Sequence, residues 1–437
     1  MDIILEHCAG LDVHRSTVVA CVLGGASQSQ GGKSKRAERP IQTFATTPDG
    51  LAQLVKWLQQ AGVTHAGMEA TGVYWMPVFA ALEAAEGITP IVANARHVKN
   101  VPGRKTDVKD AEWLAQLIRH GLVKNGFVPA KPFRELRELV RYRRSLVEAQ
   151  ASERQRLIKL LEGAGVKLAG VLTDVFGVSG RAMIKAMIEG EATPEDMAKL
   201  AKGVARAKYR ELVAALAAPL APHQRKILGC QFNRVKAAEA DIAALDVEID
   251  ERLKPYAKLM TDLTKIPGLD RVAAMAVLAE IGDDLSKFPS VAALSAWAGV
   301  CPGSRESGGK SKPTGARKGN PYLRTILCNA AVGAVKKKGS YYKGKYHKLK
   351  ARRGAGRAIL AIAHKLLIAI YHVLKGEPFR DLGEAYLDQR NLQRAASRHV
   401  KQLEALGYTV KIEAKPNPQP KPAAPKTAKT TPSRKKA

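Results

Sequence analysis

Acidic side chains are scarce in this chain. Its 40 Asp and Glu stand against 71 Lys and Arg over 437 residues, a formal net charge of +31. That excess argues for a polyanionic partner. Aromatic residues are only 5% of the total, which disfavours a single-strand binder built mainly from stacked rings. Phosphate contact is the better source of affinity. The five cysteines (Cys8, Cys21, Cys230, Cys301, Cys328) form no CxxC pair. Their odd number and wide spacing fit reduced thiols in the cytoplasm rather than a disulfide frame or a zinc site. The ten histidines form no ligand-like cluster. Long apolar runs are also missing. The N-terminus carries Asp2 and Glu6 and does not read as a secretory signal. The most apolar stretch, 358–374, is interrupted by His364, Lys365 and His372, too short and too polar to span a bilayer comfortably. The expectation is a soluble, intracellular protein.

Hydrophobic residues make up 46%, which excludes wholesale disorder. At about 150 residues per domain the length suggests roughly three structural units. The charge is concentrated. From Gly303 to Arg357 there are 16 basic residues and one acid, Glu306, and the tail from Lys415 adds seven basic residues and no acid. A purely solubilising charge is more dispersed than this, so nucleic acid is the expected partner.

Residues 8–23 (CAGLDVHRSTVVACVL) read as two strands around a tight turn. Segment 24–39 is a Gly/Ser/basic loop, and a third strand is expected near 41–46. Leu51, Leu54, Val55 and Leu58 recur at helical spacing behind Asp49. Strands near 64–68 and 89–93 then alternate with helices at about 73–85 and from about 106 onward. Three strands followed by alternating helices and strands predict an α/β mixed sheet of ribonuclease-H-like order over 1–130. The remainder reads as all-α: a helical or coiled-coil middle over 131–258, a mainly helical unit over 259–378, and an extension over 379–437. A disordered basic tail is expected from about 415.

Within the middle, long helices are expected at 132–162 and 223–254. The second carries Val235, Ile242 and Ile249 seven residues apart with Leu245 between them. That stripe suits either a pair of helices inside one subunit or an oligomer seam. Between them, 172–222 reads as shorter helices broken at Gly177, Gly180 and Pro194. Segment 264–282 (TKIPGLDRVAAMAVLAEIG) looks like half of a helix-hairpin-helix, whose turn amides can meet a phosphate.

Four acids stand out by position. Asp12 ends the first strand, Glu69 follows a later one, and Asp107 and Asp110 open a helix at i, i+3 spacing, on one helical face. Gathered at one sheet end, four carboxylates would repel unless a divalent cation lay between them, and Mg²⁺ suits such an oxygen site. Singly, Asp12 reads rather as an ordinary turn residue, and Asp107 and Asp110 as helix-start acids favoured by the dipole; the combined placement reverses this. A second candidate is Ser307, within a glycine-rich segment surrounded by Arg305, Lys310, Lys312, Arg317 and Lys318, with Arg324 just beyond. Nearby cations and a metal-bound phosphate could activate its hydroxyl. Composition alone does not choose it over Ser304 or Ser311, and the segment also reads as a simple phosphate grip. The run 336–357 alternates cations with Tyr341, Tyr342 and Tyr346, a pattern for phosphate binding with some ring stacking.

Taken together, GLDVHRS, MEATGVYW, NARHVKNVPGRKTDVKDAEWLA, IPGLDRVAAMAVLAEIGD and WAGVCPGSRESGGKSKPTGARKGNPYLR resemble the insertion-sequence one-hundred-ten family of bacterial transposases. These are bridge-RNA-guided recombinases with a RuvC-like DEDD domain and a C-terminal serine domain. The resemblance covers roughly 8–130 and 260–375. It implies that Asp12, Glu69, Asp107 and Asp110 hold Mg²⁺ and that Ser307 forms a transient link to DNA. It further implies a noncoding guide RNA pairing with donor and target DNA, and a homo-oligomer (dimers pairing into a tetramer) in which metal and serine come from different subunits. The loop at 24–39, the helical middle near 172–222 and the basic tail depart from compact members. Two rival readings remain: a RuvC-like nuclease acting on branched DNA through metal-activated water, and a non-enzymatic nucleic-acid-binding protein.

Overall fold

The computed structural model describes residues 3–24, 39–93, 107–303, 306–307, 310–311 and 315–411. The Gly/Ser/basic loop and the basic tail lie outside them, apart from the loop's two end residues.

The N-terminal unit is a five-stranded sheet in the order β3-β2-β1-β4-β5. It is formed by β1 (Cys8–Val13), β2 (Thr17–Leu23), β3 (Ile41–Ala45), β4 (His65–Glu69) and β5 (Thr89–Ala93). β1 pairs antiparallel with β2 and parallel with β4, so the sheet is mixed, as the succession of elements predicts. Strand alternation sorts side chains onto two faces. Ala9, Leu11, Val18, Ala20, Ala66 and Met68 join the core beneath α1 (Pro48–Gln60) and α2 (Trp75–Glu83). Cys8, Val19, Cys21 and Leu23 face α3 (Asp107–Arg119). A proline in the first turn and the Thr47 hydroxyl, which accepts from the Gly50 amide, start α1.

Two long helices follow, α4 (Lys131–Gly163) and α9 (Pro222–Leu253). Ion pairs link Glu135 to Arg252, Arg143 to Asp246 and Arg154 to Glu239. The partner numbers fall as the first rise, so the helices run antiparallel. Val235 and Ile249 are buried and Ile242 and Leu245 half-buried. The apolar stripe therefore serves a pairing within one chain. At the far end, α5 (Leu168–Val171), α6 (Val178–Glu189), α7 (Pro194–Lys199) and α8 (Tyr209–Ala215) cap the pair around their own core. Gly180 does not break a helix here. It lies inside α6, where a side chain would collide with the Val175 carbonyl.

The C-terminal unit packs α10 (Ala257–Thr264), α11 (Arg271–Ile281), α12 (Val291–Ala298), α13 (Pro321–Ala334), α14 (Tyr341–Arg353) and α15 (Ala355–Leu374) around one core. α16 (Tyr386–Ala405) extends from it. Contrary to the reading of 358–374 as too short and too polar to span a bilayer, helix α15 begins three residues earlier and has the length and apolarity of a membrane span. In this fold it supplies Ile362, Leu366, Leu367 and Ile370 to the core. Gly268, in the turn before α11, lies against the α13 backbone at Ala330 and Ala334. Close helix packing is thus what the glycine of the expected helix-hairpin-helix turn provides.

Candidate nucleic-acid-processing site

The sheet register brings two of the N-terminal acids to one sheet end. Parallel pairing of β1 with β4 matches Gly10 to Gly67 and Leu11 to Met68. One step further sets Asp12 beside Glu69, at the carboxyl ends of adjacent strands. The sequence places Glu69 just after a strand; it is instead the last residue of β4, paired with Ala93 of β5.

Helix α3 crosses this sheet end because two glycines admit it. A Cβ on Gly10 would strike the Ala111 carbonyl oxygen and the Ala115 amide nitrogen, and one on Gly67 would strike Ile118. Cys8, two residues earlier on the same face, donates its thiol to the Ala115 carbonyl at 3.5 Å. Strand and helix therefore run in opposite directions, with two strand residues matching four helix residues. These steps are nearly equal, about 6.7 Å and about 6 Å. Another step carries Asp12 to the level of Asp107, the first residue of α3. Asp110 begins the neighbouring row of the helix, through Leu114 to Ile118, which overlies Gly67 and leads toward Glu69.

Around these acids, His14 Nε2 lies 3.1 Å from an Asp12 carboxylate oxygen. The Thr71 hydroxyl donates to Glu69 Oε1 at 3.1 Å. Arg39 pairs with Glu112 on α3. The donor set is all oxygen, and Asp12 and Glu69 share one sheet end, which suits a hard divalent cation. Among the described residues no cluster of three ligand-type side chains assembles by itself. The side chain of Asp107 lies outside the described residues.

Ser307 sits in a different unit. The sequence reads its surroundings as a glycine-rich loop; the structure pairs Glu306–Ser307 (β6) antiparallel with Lys310–Ser311 (β7), Ser307 opposite Lys310. The ribbon closes below through Gly303 N to Gly315 O, a Pro302–Ala316 bridge and Arg317 N to Cys301 O. Arg305 and Lys312 lie outside the described residues, as do the side chains of Ser307 and Lys310. Arg317 and Lys318 are exposed, and Arg324 is half-buried on α13.

The root of this hairpin is held by residues the sequence reading missed. Glu280 on α11 is 3% exposed. It accepts a two-pronged contact from Arg141 at 2.7 and 2.9 Å and a bond from Asn320 Nδ2 at 2.6 Å. Arg137 lies 3.4 Å from the same carboxylate and donates to the Glu280 backbone carbonyl at 2.6 Å. Burial pulls the Arg137 guanidinium down to about 10, so it remains a cation near neutrality. Asn320 also caps α13 through the amides of Tyr322 and Leu323. An acid inside the apolar run AAMAVLAEIG was the available signal, because a buried charge demands partners.

Comparison with known families bears on both ends of this arrangement. One transposase model, that of the DEDD transposases of the IS110 type, matches residues 9–165. A second, described as the transposase IS116/IS110/IS902 family, matches 260–347. The chain belongs to the IS110 family of transposases. The two matches together span more than half of it, and the unmatched middle contains the cap α5–α8. No curated protein matches the chain. This IS110-family transposase is thus an enzyme that cuts and rejoins DNA, and its DEDD unit implies dependence on a divalent metal.

Proposed function

We propose that this transposase exchanges DNA strands through a transient serine–phosphate link, with Ser307 as nucleophile. Asp12, Glu69, Asp107 and Asp110 are assigned as the residues that hold Mg²⁺. The observation that supports this reading is the docking of α3 across Gly10 and Gly67, with the helix running antiparallel to β1 so that its start lies toward the strand ends.

The bond changes balance without an external energy source. The Ser307 hydroxyl oxygen attacks a DNA phosphorus, forming an O–P bond as the bond to one deoxyribose oxygen breaks. That leaving oxygen ends as a hydroxyl, taking up the equivalent of the serine proton. Attack by a hydroxyl end of another strand reverses the chemistry, restoring a phosphodiester and the free serine. A divalent cation, when bound, supplies polarisation of a phosphate oxygen. Lys310, Arg317, Lys318 and Arg324, with Arg305 and Lys312, are assigned to backbone phosphates.

A basic protein of this kind grips backbone with little need to read bases, which agrees with sequence choice by a noncoding bridge RNA paired to donor and target. The hydroxyl and the acids lie in separate units, which agrees with a homo-oligomer whose subunits share metal and serine. The protein with guide RNA and matching DNA is expected to give a covalent adduct that Ser307→Ala abolishes. An adduct surviving in that variant would overturn the serine assignment. Hydrolytic nicks without any adduct would favour the metal-dependent nuclease instead.

A further inference from the structure

A cavity of about 650 Å³ opens beyond the carboxyl ends of β4 and β5, where Ala70, Val92 and Ala93 line it. Open α/β sheets place ligands at this end of their parallel strands. The cavity has two aromatic walls from distant parts of the chain. On one, Trp75 and Phe79 of α2 meet edge to face at 5.7 Å; on the other, Phe127 and Trp297 do so at 5.1 Å. In a chain poor in rings, one cavity thus collects two of four tryptophans and two of eight phenylalanines.

Cations line it as well. Arg134 lies over the Phe79 ring at 5.2 Å from its centre, and Arg137 and Arg141 complete the lining. Their guanidinium groups are fixed in place by Glu83 and Glu280. Rings on both walls and immobilised planar guanidinium groups suit a flat π-system; with Glu83 and Glu280 paired to the arginines and Glu138 in the same lining, shape and stacking rather than net charge select the ligand. The position selects among such molecules. Ala70 directly follows Glu69, so the strand that presents a candidate catalytic carboxylate also forms the cavity edge.

We propose that this cavity receives a nucleobase swung out of the DNA strand whose phosphate lies at Asp12 and Glu69. Stacking between the two walls offsets the loss of stacking in the duplex. The proposal rests on the carboxylate site described above, though not on the role of Ser307.

The test uses the full-length protein with Trp57→Phe and Trp113→Phe, which leaves Trp75 and Trp297 as the only indole reporters. It is titrated with a synthetic branched DNA carrying an unpaired base at the branch point, and with the same DNA bearing an abasic sugar there. The base-bearing DNA is expected to quench the fluorescence and bind roughly 5- to 150-fold more tightly, the range of base–aromatic stacking. Ala80→Phe, which fills the exposed rim of the cavity, is expected to remove that preference. Equal quenching by both DNAs would overturn the proposal, and quenching by single-stranded RNA alone would assign the cavity to RNA instead. Ser307→Ala is expected to keep the quench. A protein that forms the covalent adduct without base-dependent quenching refutes only the cavity, whereas failure to bind either DNA refutes the site reading too.

Discussion

Replacing Glu280 by alanine tests how the C-terminal unit is held on the long helices. Its carboxylate serves Arg141, Arg137 and Asn320 at once, and it is 3% exposed. Removing one member of a buried charge pair costs about 3–5 kcal/mol, because the opposite charge stays buried without its partner. Here Arg137, whose side chain is 16% exposed, would bear most of that cost; Arg141, at 32%, reaches solvent more easily. Glu280→Ala is therefore expected to destabilise the C-terminal unit by about 3–5 kcal/mol. Glu280→Gln keeps hydrogen-bonding oxygen for Asn320 and should cost about 2 kcal/mol. Native-state hydrogen exchange reads the effect locally: the bonded amides of Gly303, Arg317 and Asn320 and the start of α13 should lose protection ahead of β1 and β4. Replacing Glu280, Arg137 and Arg141 together by methionine should recover most of the loss. An alanine variant less than about 1 kcal/mol below the parent, with unchanged exchange at Gly303, Arg317 and Asn320, would refute the anchoring role.

Gly10→Ala should displace α3 from β1, lower stability by about 1–3 kcal/mol or more, and reduce metal-dependent DNA cutting; an unchanged melting temperature would contradict the close packing. Burial raises the thiols of Cys8 and Cys21 from 9.0 to about 11, so iodoacetamide at pH 8 should label exposed Cys230 and spare both. The same shifts set a pH window. The unfolded thiols lose protons first, so the stability these cysteines contribute is complete below about pH 9 and is lost between 9 and about 11, measurable by denaturation across that range. Alanine at Arg317 and Lys318 together should weaken DNA binding across sequences and reduce the slope of log affinity against log salt by about 1.8; an unchanged slope would place both side chains away from phosphate.

The sheet unit was legible because its first strands are short runs rich in Val and small residues around a turn and its helices recur at 3.6-residue spacing, as in Leu51, Leu54 and Leu58, all buried. The acids were legible as strand-end and helix-start residues, while the docking of α3 on the sheet depended on Gly10 and Gly67, whose meaning emerges only when a helix lies on them. The Val235–Ile249 stripe could not say which helix it faces; the crossed ion pairs of α4 and α9 do. Ser307 was found as a residue in a basic glycine-rich segment, but the pairing of Glu306–Ser307 with Lys310–Ser311 was invisible, because strands of two residues carry no periodicity. The Glu280 hub and the aromatic cavity were missed because both join residues more than 100 positions apart.

The most direct test of the whole account is where a divalent cation binds. Crystals of the protein soaked in Mn²⁺, a stand-in for Mg²⁺ that scatters anomalously, should show an anomalous peak between Asp12, Glu69 and the start of α3, lost in Asp12→Asn. A peak elsewhere, or one that persists at the same place and strength in Asp12→Asn, would contradict it.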